Sequence, residues 1–149
     1  MVDLYGNIAI GCDHAGYDVK KQIMESLEKE GFKFHDYGCY SNGSVDYPDM
    51  IHPLAKDISE GKLQRGIIIC GSGNGVAIVA NKYRFVRAAL CWNEEITRLA
   101  RMHNDANVCS LPARFITQEE ALNLVRIFLS TGFEGERHQR RVEKISNLL

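Results

Sequence analysis

The chain has 149 residues and a formal net charge of −1 at pH 7, so we expect one domain, 1–149, that buries about 70% of its unfolded surface. The near-neutral charge gives no reason to expect a nucleic acid or an anionic membrane as a partner. The N-terminus lacks a basic segment followed by an apolar core, and no apolar run approaches the ~20 residues that span a bilayer, so we expect a cytoplasmic protein.

Short apolar runs alternate with segments of helical periodicity along the whole chain. In the first half, this pattern predicts a strand at 7–12, a helix at 17–30, a strand at 32–37 and a helix at 49–60. Gly31 and Gly61 end the two helices, and the segment 38–48 is rich in residues that are typical of turns.

The second half continues the alternation. The predicted strands are the apolar run that ends at Cys70, the segment 85–91 and the segment 107–111. Asn93 is the expected N-cap of one helix, a Thr117-x-x-Glu120 capping box opens another, and the last helix runs from about 136 to 148. Strands that alternate with helices in this way predict an α/β fold with a five-stranded parallel sheet covered on both faces.

Five cysteines, an odd number, are widely spaced and include no C-x-x-C pair. This spacing favours neither a disulfide framework nor a zinc site. We therefore expect reduced thiols that are mostly buried, and we predict no metal. The cysteines are Cys12, Cys39, Cys70, Cys91 and Cys109.

A glycine-alternating loop joins the isoleucine-rich strand to the start of a helix. Its residues are Cys70, Gly71, Ser72, Gly73, Asn74 and Gly75. Glycines let backbone N–H groups approach a ligand closely, and a helix N-terminus adds unpaired N–H groups and a partial positive charge, so the loop suits an anion. Its spacing fits neither a Walker loop nor a dinucleotide fingerprint. The alternative is a tight connection without a ligand.

The residues that follow strands are the functional candidates, because ligands of open parallel sheets bind beyond the carboxyl ends of the strands. Cys70 lies where a helix N-terminus favours a thiolate, which could take a proton or attack a carbon. A buried, small apolar role is the alternative, and the glycine loop makes the functional interpretation the preferred one. Asp13 and His14 could bind hydroxyls or move protons, and Asp13 could also cap the next helix.

A basic cluster lies near the C-terminus. Arg137 and Arg141 stand i, i+4 on one helix face and could grip one dianion with bidentate hydrogen bonds. The alternative is a solvated helix surface, with nearby glutamates paired to the arginines. For His103 and Asn104, the residues alone favour a helix C-terminal cap.

Five motifs together resemble the ribose-5-phosphate isomerase B family, which includes the galactose-6-phosphate isomerase subunits. They span nearly the whole chain in the family's order and spacing, so the resemblance is highly specific. The motifs are Gly11-Cys12-Asp13-His14-Ala15-Gly16, Asp46-Tyr47-Pro48, the 70–75 loop with Ala80-Asn81-Lys82, Arg101-x-His103-Asn104-Asp105-x-Asn107-Val108 and Gly135-x-Arg137-His138-Gln139-x-Arg141-Val142.

The resemblance implies a cofactor-free aldose–ketose isomerase with a Rossmann-like three-layer α/β/α sandwich and a C-terminal helix. The implied reaction interconverts ribose 5-phosphate and ribulose 5-phosphate through an enediolate, in the pentose phosphate pathway. The implied assembly is a homodimer or a dimer of dimers with active sites between subunits.

Roles for individual residues also follow from the resemblance. Cys70 is implied as the base that moves a proton between carbons 2 and 1, and His103 as the group that assists opening of the furanose ring. Ser72 and the loop amides are implied to hold the enediolate. The implied substrate-binding residues are Gly71, Gly73, Asn74 and Gly75 in the loop, Asp13, Tyr47 and Asn104 at sugar hydroxyls, and His14, Arg137 and Arg141 at the phosphate, the two arginines from the neighbouring subunit.

Two positions depart from patterns in the family. Some members use a carboxylate just after the glycine loop, where this chain has Val76, so Cys70 has no rival as the base. The lead-in to Arg114 is Leu111-Pro112-Ala113 in place of a glycine- or serine-rich segment. The sequence therefore leaves open whether Arg114 contacts the phosphate.

Two other functions remain open on the sequence. The first is isomerisation of a six-carbon sugar phosphate, such as galactose 6-phosphate or allose 6-phosphate, which depends on the depth of the pocket. The second is a non-catalytic nucleotide-binding module, in which the glycine loop binds phosphate and Glu94 binds a ribose. This second interpretation gives Cys70 and the C-terminal arginines no role.

Overall fold

The computed structural model describes residues 6–147, and within that range no helix is both long and apolar enough to cross a bilayer. Strands and helices alternate as the sequence predicts. The elements are β1 (Asn7–Cys12), α1 (Tyr17–Glu28), β2 (Lys33–Asp36), α2 (Tyr47–Ser59), β3 (Gly66–Cys70), α3 (Asn74–Ala80), β4 (Ala88–Leu90), α4 (Glu94–Asn104), β5 (Val108–Pro112), α5 (Gln118–Ser130) and α6 (Arg137–Asn147), with a 3₁₀ turn at His14–Gly16.

The strands form one five-stranded parallel sheet in the order β2-β1-β3-β5-β4. Successive side chains of β3 point to opposite faces. Ile67 and Ile69 pack in the core beneath α1, α4 and α5, whereas Ile68 and Cys70 pack with α2 and α3. Helices therefore cover both faces of the sheet, which confirms the predicted α/β/α sandwich, and α6 packs against α4.

The strand order indicates where a ligand crevice should lie. The chain passes from β1 to its neighbour β2 and then crosses to β3 on the other side of β1. The connections therefore leave in opposite directions between β1 and β3, and ligands of open α/β sheets bind beyond the carboxyl ends of such a strand pair. Cys12 and Cys70 end these two strands.

Several predicted boundaries need correction, and the largest is in the fourth strand. The prediction gave 85–91, but β4 spans only Ala88–Leu90. Phe85 has a φ of +68°, which is left-handed backbone and ends the extended run. The side chain of Asn81 instead bonds both the N–H and the carbonyl of Ala88, at 2.8 and 3.0 Å.

The helix ends shift by smaller amounts. α2 begins at Tyr47, two residues before the predicted 49, because Pro48 fits the first turn of a helix. α1 ends at Glu28 and α6 ends at Asn147, while Leu148 lies outside the described residues. The N-cap at Asn93 and the capping box at Thr117 and Glu120 are confirmed.

A buried ion pair holds the loop that follows β2. Lys20 is 1% exposed, and its Nζ lies 2.8 Å from Asp36 Oδ1 and 2.5 Å from the Cys39 carbonyl oxygen. A buried ammonium group needs such partners, because its charge has left water. The pair joins α1 to the start of this loop, and further along the loop the Val45 N–H donates to His14 Nδ1.

Candidate active site

The Cys70 thiol lies at the carboxyl end of β3, against the glycine loop. It is 5% exposed, and Sγ accepts a hydrogen bond from the Gly73 N–H at 3.2 Å. The buried Ser110 hydroxyl donates to the Gly73 carbonyl at 2.6 Å. Gly73 therefore links the thiol to β5. Its predicted contact with the sugar stays a prediction, since its N–H is directed at the thiol in this structure.

The backbone conformation and the space at position 73 would strain any residue other than glycine. Its φ is +76°, and an added Cβ would lie 2.5 Å from Leu90 Cδ1 and 3.2 Å from the Leu111 carbonyl carbon. We expect Gly73→Ala to lower the free energy of unfolding by about 2 kcal/mol or more, through left-handed strain and overpacking.

The matched control is Gly132→Ala, because no atom lies within 4 Å of its added Cβ. We expect that control to change the free energy of unfolding by about 0.5 kcal/mol or less. Urea unfolding of both variants measures the difference. Equal stability of the two variants would rule out a strained loop.

The other predicted residues of this edge surround the loop. The Tyr47 ring lies against Gly75, where an added Cβ would be 2.6 Å from Tyr47 Cζ. Asp13 is buried, and its Oδ1 accepts from the N–H groups of Ala15 and Gly16 at 2.9 and 3.2 Å, so it caps the 3₁₀ turn at His14–Gly16, whereas Gly16 is the N-cap of α1. His14 Nδ1 accepts from the Val45 N–H at 3.3 Å, which leaves Nε2 for a ligand.

Ser72 and Asn74 form the outer side of the loop. The Asn74 N–H donates to Ser72 Oγ at 3.2 Å. Both residues line a cavity of about 360 Å³. Exposed apolar side chains stand beside it, including Trp92, which is 54% exposed, and Phe115, which is 76% exposed.

Arg114 is a residue whose role the sequence left open. Its guanidinium group lies over Gly71, where an added Cβ would meet Nη1 at 3.1 Å, and its N–H donates to the Gly71 carbonyl at 3.0 Å. The structure thus places a positive charge directly beside the glycine loop. The contact depends on the turn that follows β5, which the lead-in residues alone do not reveal.

A second group of predicted residues lies elsewhere. His103, Asn104 and Arg141 line a cavity of about 370 Å³ together with residues of α6. Arg137 is exposed in the first turn of the same helix. The full lining of this cavity is His103, Asn104, His138, Arg141, Val142 and Ile145.

The two groups lie at opposite ends of the sheet. α4 leaves the carboxyl end of β4 and returns to the amino end of β5, so His103 precedes the first residue of β5, Val108. Cys70 pairs with Pro112, the last residue of β5. Four strand steps separate these ends by ~13 Å along the sheet. One chain therefore does not bring Cys70 and His103 together.

His138 is a further residue to which the sequence interpretation gave no role. Its ring stacks on His103, with centroids 4.2 Å apart and planes at 12°. It is 6% exposed, and burial, aided by His103 and Arg137, lowers its pKa. The helical spacing of His138, Val142 and Ile145 was an available signal, because it marks the face of α6 that lines this cavity.

The lowered pKa of His138 makes stability depend on pH. In the unfolded chain this histidine takes up a proton near its ordinary pKa of 6.5, whereas the folded chain resists protonation until lower pH. We expect the free energy of unfolding to decrease as the pH falls below that value, and the loss to end once the folded histidine also titrates.

His138→Phe keeps a flat ring without the proton, so its stability should fall less steeply between about pH 7 and pH 5. Urea titrations of both proteins give the two slopes. Identical slopes would show that His138 does not cause the pH dependence.

The fold and the loop define an α/β protein with a buried thiol and a glycine loop at the point where the strand order reverses. The family model described as Ribose/Galactose Isomerase matches residues 8–145. The chain is 39% identical over 139 residues to ribose-5-phosphate isomerase B of Escherichia coli, with 93% of each chain covered.

Solved structures agree. A ribose 5-phosphate isomerase of Thermotoga maritima is 45% identical, with a TM-score of 0.91 and coverage of 95% of this chain and 97% of the other. Ribose-5-phosphate isomerase B of Mycoplasma genitalium with bound ribulose-5-phosphate is 42% identical, with a TM-score of 0.91 and 95% of each chain covered. The chain therefore belongs to the ribose/galactose isomerase family, which confirms the resemblance carried by its motifs.

Proposed function

We propose that this protein is a ribose-5-phosphate isomerase that interconverts ribose 5-phosphate and ribulose 5-phosphate through an enediolate. The observation that carries the proposal is the Cys70 thiol beside a glycine loop, in a chain of this family whose relatives include an isomerase with bound ribulose-5-phosphate. The five cysteines are free thiols, which supports a cytoplasmic location.

The reaction needs a base and a site for negative charge. The Cys70 thiolate removes the proton from carbon 2 of the open-chain aldose, and the electrons of that bond form the enediolate. The same proton returns to carbon 1, while a proton moves from the oxygen on carbon 2 to the oxygen on carbon 1. Loop amides near Gly71 and Gly75, with Ser72, stabilise the charge, and one such donor is worth roughly 3–4 kcal/mol in a transition state.

We infer that a second copy of the chain completes the site. Cys70 lies at one end of the sheet and the His103 cavity at the other, so a copy that presents its His103 cavity to this loop supplies the missing groups. The exposed Ile145 beside that cavity, 50% accessible, supports contact with another chain. The partner would contribute His103 and Asn104 as well as the two arginines.

The phosphate requires cationic groups at a fixed distance from the reacting carbons. His14 Nε2 is available at the loop end, and Arg137 and Arg141 stand one helical turn apart on α6. Arginine binds phosphate with paired, charge-assisted hydrogen bonds. Binding energy from this distant group orients the sugar at the thiol.

The experiment is an assay of the purified chain with ribose 5-phosphate, in which ribulose 5-phosphate is measured as the product. Parallel assays with galactose 6-phosphate and allose 6-phosphate test the six-carbon alternative, and calorimetry with nucleotides tests the binding-module alternative. We expect the highest kcat/KM with ribose 5-phosphate. A higher kcat/KM with a six-carbon substrate, or nucleotide binding without turnover, would contradict the proposal.

A further inference from the structure

The Glu134 carboxylate lies near both stacked histidines and has no role in the proton transfer at Cys70. Glu134 Oε2 lies 3.6 Å from His138 Nε2 and 4.0 Å from His103 Nε2. The Nε2 atom of His138 is buried and has no hydrogen-bond partner within the described chain. Buried polar atoms nearly always have a hydrogen-bond partner, so this nitrogen is available for one further hydrogen bond.

The backbone holds Glu134 at this place. Its N–H donates to the Met102 carbonyl at 3.1 Å, next to His103 in the last turn of α4. The two residues that follow, Gly135 and Glu136, have φ values of +72° and +52°. A left-handed conformation is costly for a residue with a side chain, so the strained turn at Glu136 indicates that the orientation of this segment is fixed.

Glu134 is the acidic group among the charges that act on the His103–His138 stack. The ionisable groups that act on His138 are His103 from α4, Glu134 from the connecting segment, and Arg137 and Arg141 from α6. The Glu134 side chain is 44% exposed, so a small rotation brings its carboxylate to hydrogen-bond distance. Such contacts often tighten only when substrate binds.

We propose that Glu134 is a positioning residue for opening of the sugar ring, because its carboxylate holds the Nε2 edge of the His103–His138 stack. This inference rests on the proposed isomerase function. A hydrogen bond from Nε2–H to Glu134 selects the tautomer of His103 in which Nδ1 carries the lone pair. The stack keeps that ring flat against a buried, neutral neighbour.

The step balances without any further reactant. Nδ1 of His103 takes the proton of the anomeric hydroxyl, and the bond between carbon 1 and the ring oxygen breaks. The oxygen on carbon 1 becomes the aldehyde oxygen, and the former ring oxygen takes a proton from water. His103 then returns its proton to solvent. The same three side chains offer ligand atoms for a metal within 4.8 Å of one another, and the ring opening as written uses no ion.

Deuterium at carbon 2 of ribose 5-phosphate separates ring opening from proton transfer, because only proton transfer breaks that bond. Ribose 5-phosphate is mostly a closed furanose, whereas ribulose 5-phosphate has no furanose form because its terminal oxygen carries the phosphate. We expect Glu134→Gln to lower kcat/KM for ribose 5-phosphate by roughly tenfold to a hundredfold. The kcat/KM for ribulose 5-phosphate falls by the same factor, because the equilibrium constant fixes the ratio of the two values. The isotope effect of deuterium at carbon 2 should be close to one in Glu134→Gln, since ring opening then limits the rate, and Glu134→Asp should recover part of the loss.

Glu136→Gln is the matched control, because it removes an exposed acid two residues away and should leave both directions unchanged. Nitrogen-15 NMR of the histidine rings provides a second readout: the Nε2–H tautomer of His103 should be populated in the parent protein and depleted in Glu134→Gln. A carbon-2 isotope effect well above one in Glu134→Gln, an unchanged kcat/KM, or an equal loss in Glu136→Gln would overturn the inference. Failure of the proposed function is distinguishable, since the parent protein would then interconvert neither sugar.

Discussion

Replacing Cys70 with alanine is expected to lower kcat by roughly 10²–10⁴-fold in both directions, because in the proposed mechanism the same thiolate removes and returns the proton. The side chain touches the loop through one sulfur contact, to the Gly73 N–H at 3.2 Å. Its loss should therefore leave the fold intact, which circular dichroism and urea unfolding can verify. Steady-state assays from ribose 5-phosphate and from ribulose 5-phosphate measure the effect.

Cys109→Ala is the control for thiol loss in general. Cys109 is fully buried in β5, pairs with Ile67 and lies in the core on the α1 side of the sheet, away from the loop. We expect this variant to keep its turnover, with only a modest loss of stability. Wild-type turnover in Cys70→Ala, or an equal loss in both variants, would show that Cys70 is not the base.

Removing the charge of Arg141 should weaken substrate binding strongly. We expect Arg141→Gln to raise KM for ribose 5-phosphate by roughly tenfold to a hundredfold, since a hydrogen bond to a charged group contributes about 1.5–3 kcal/mol. The change in kcat should be smaller, because the phosphate lies far from the reacting carbons. Steady-state kinetics at several substrate concentrations separate the two constants.

Arg140→Gln gives the comparison on the same helix. Arg140 is exposed and adjacent in sequence, so its side chain leaves the helix about 100° away from Arg141. We expect a KM close to that of the parent protein. Ribose without its phosphate offers a second comparison, because Arg141→Gln should not alter its weak turnover. Equal KM values in the two arginine variants would remove Arg141 from the phosphate site.

Local sequence signals predicted most of the fold. Short apolar or alternating runs between the helical segments identified all five strands. The side-chain caps at Asn93 and Thr117 were predicted correctly because capping depends on a few neighbouring residues. β4 was predicted too long, since the left-handed φ of Phe85 interrupts an apolar run without any glycine to announce it.

Contacts between distant segments were harder to predict. The glycine loop could be identified from its own residues, but the Arg114 guanidinium over Gly71 and the Tyr47 ring against Gly75 depend on how separate elements pack. The separation of Cys70 from His103 follows from the direction of α4, which runs back along the sheet. Sequence motifs identify candidate site residues, but they do not indicate which copy of the chain contributes each residue.

The most direct test of a site shared between two chains is complementation. A Cys70→Ala chain and a His103→Ala chain are unfolded together, refolded as a mixture and assayed with ribose 5-phosphate. Each mixed dimer then contains one site with an intact Cys70 from one chain and an intact His103 from the other, so random pairing should restore about a quarter of the wild-type activity. If mixed dimers form, as mass spectrometry can establish, and the activity does not exceed the sum of the two variants, each chain forms its site alone and the account is contradicted.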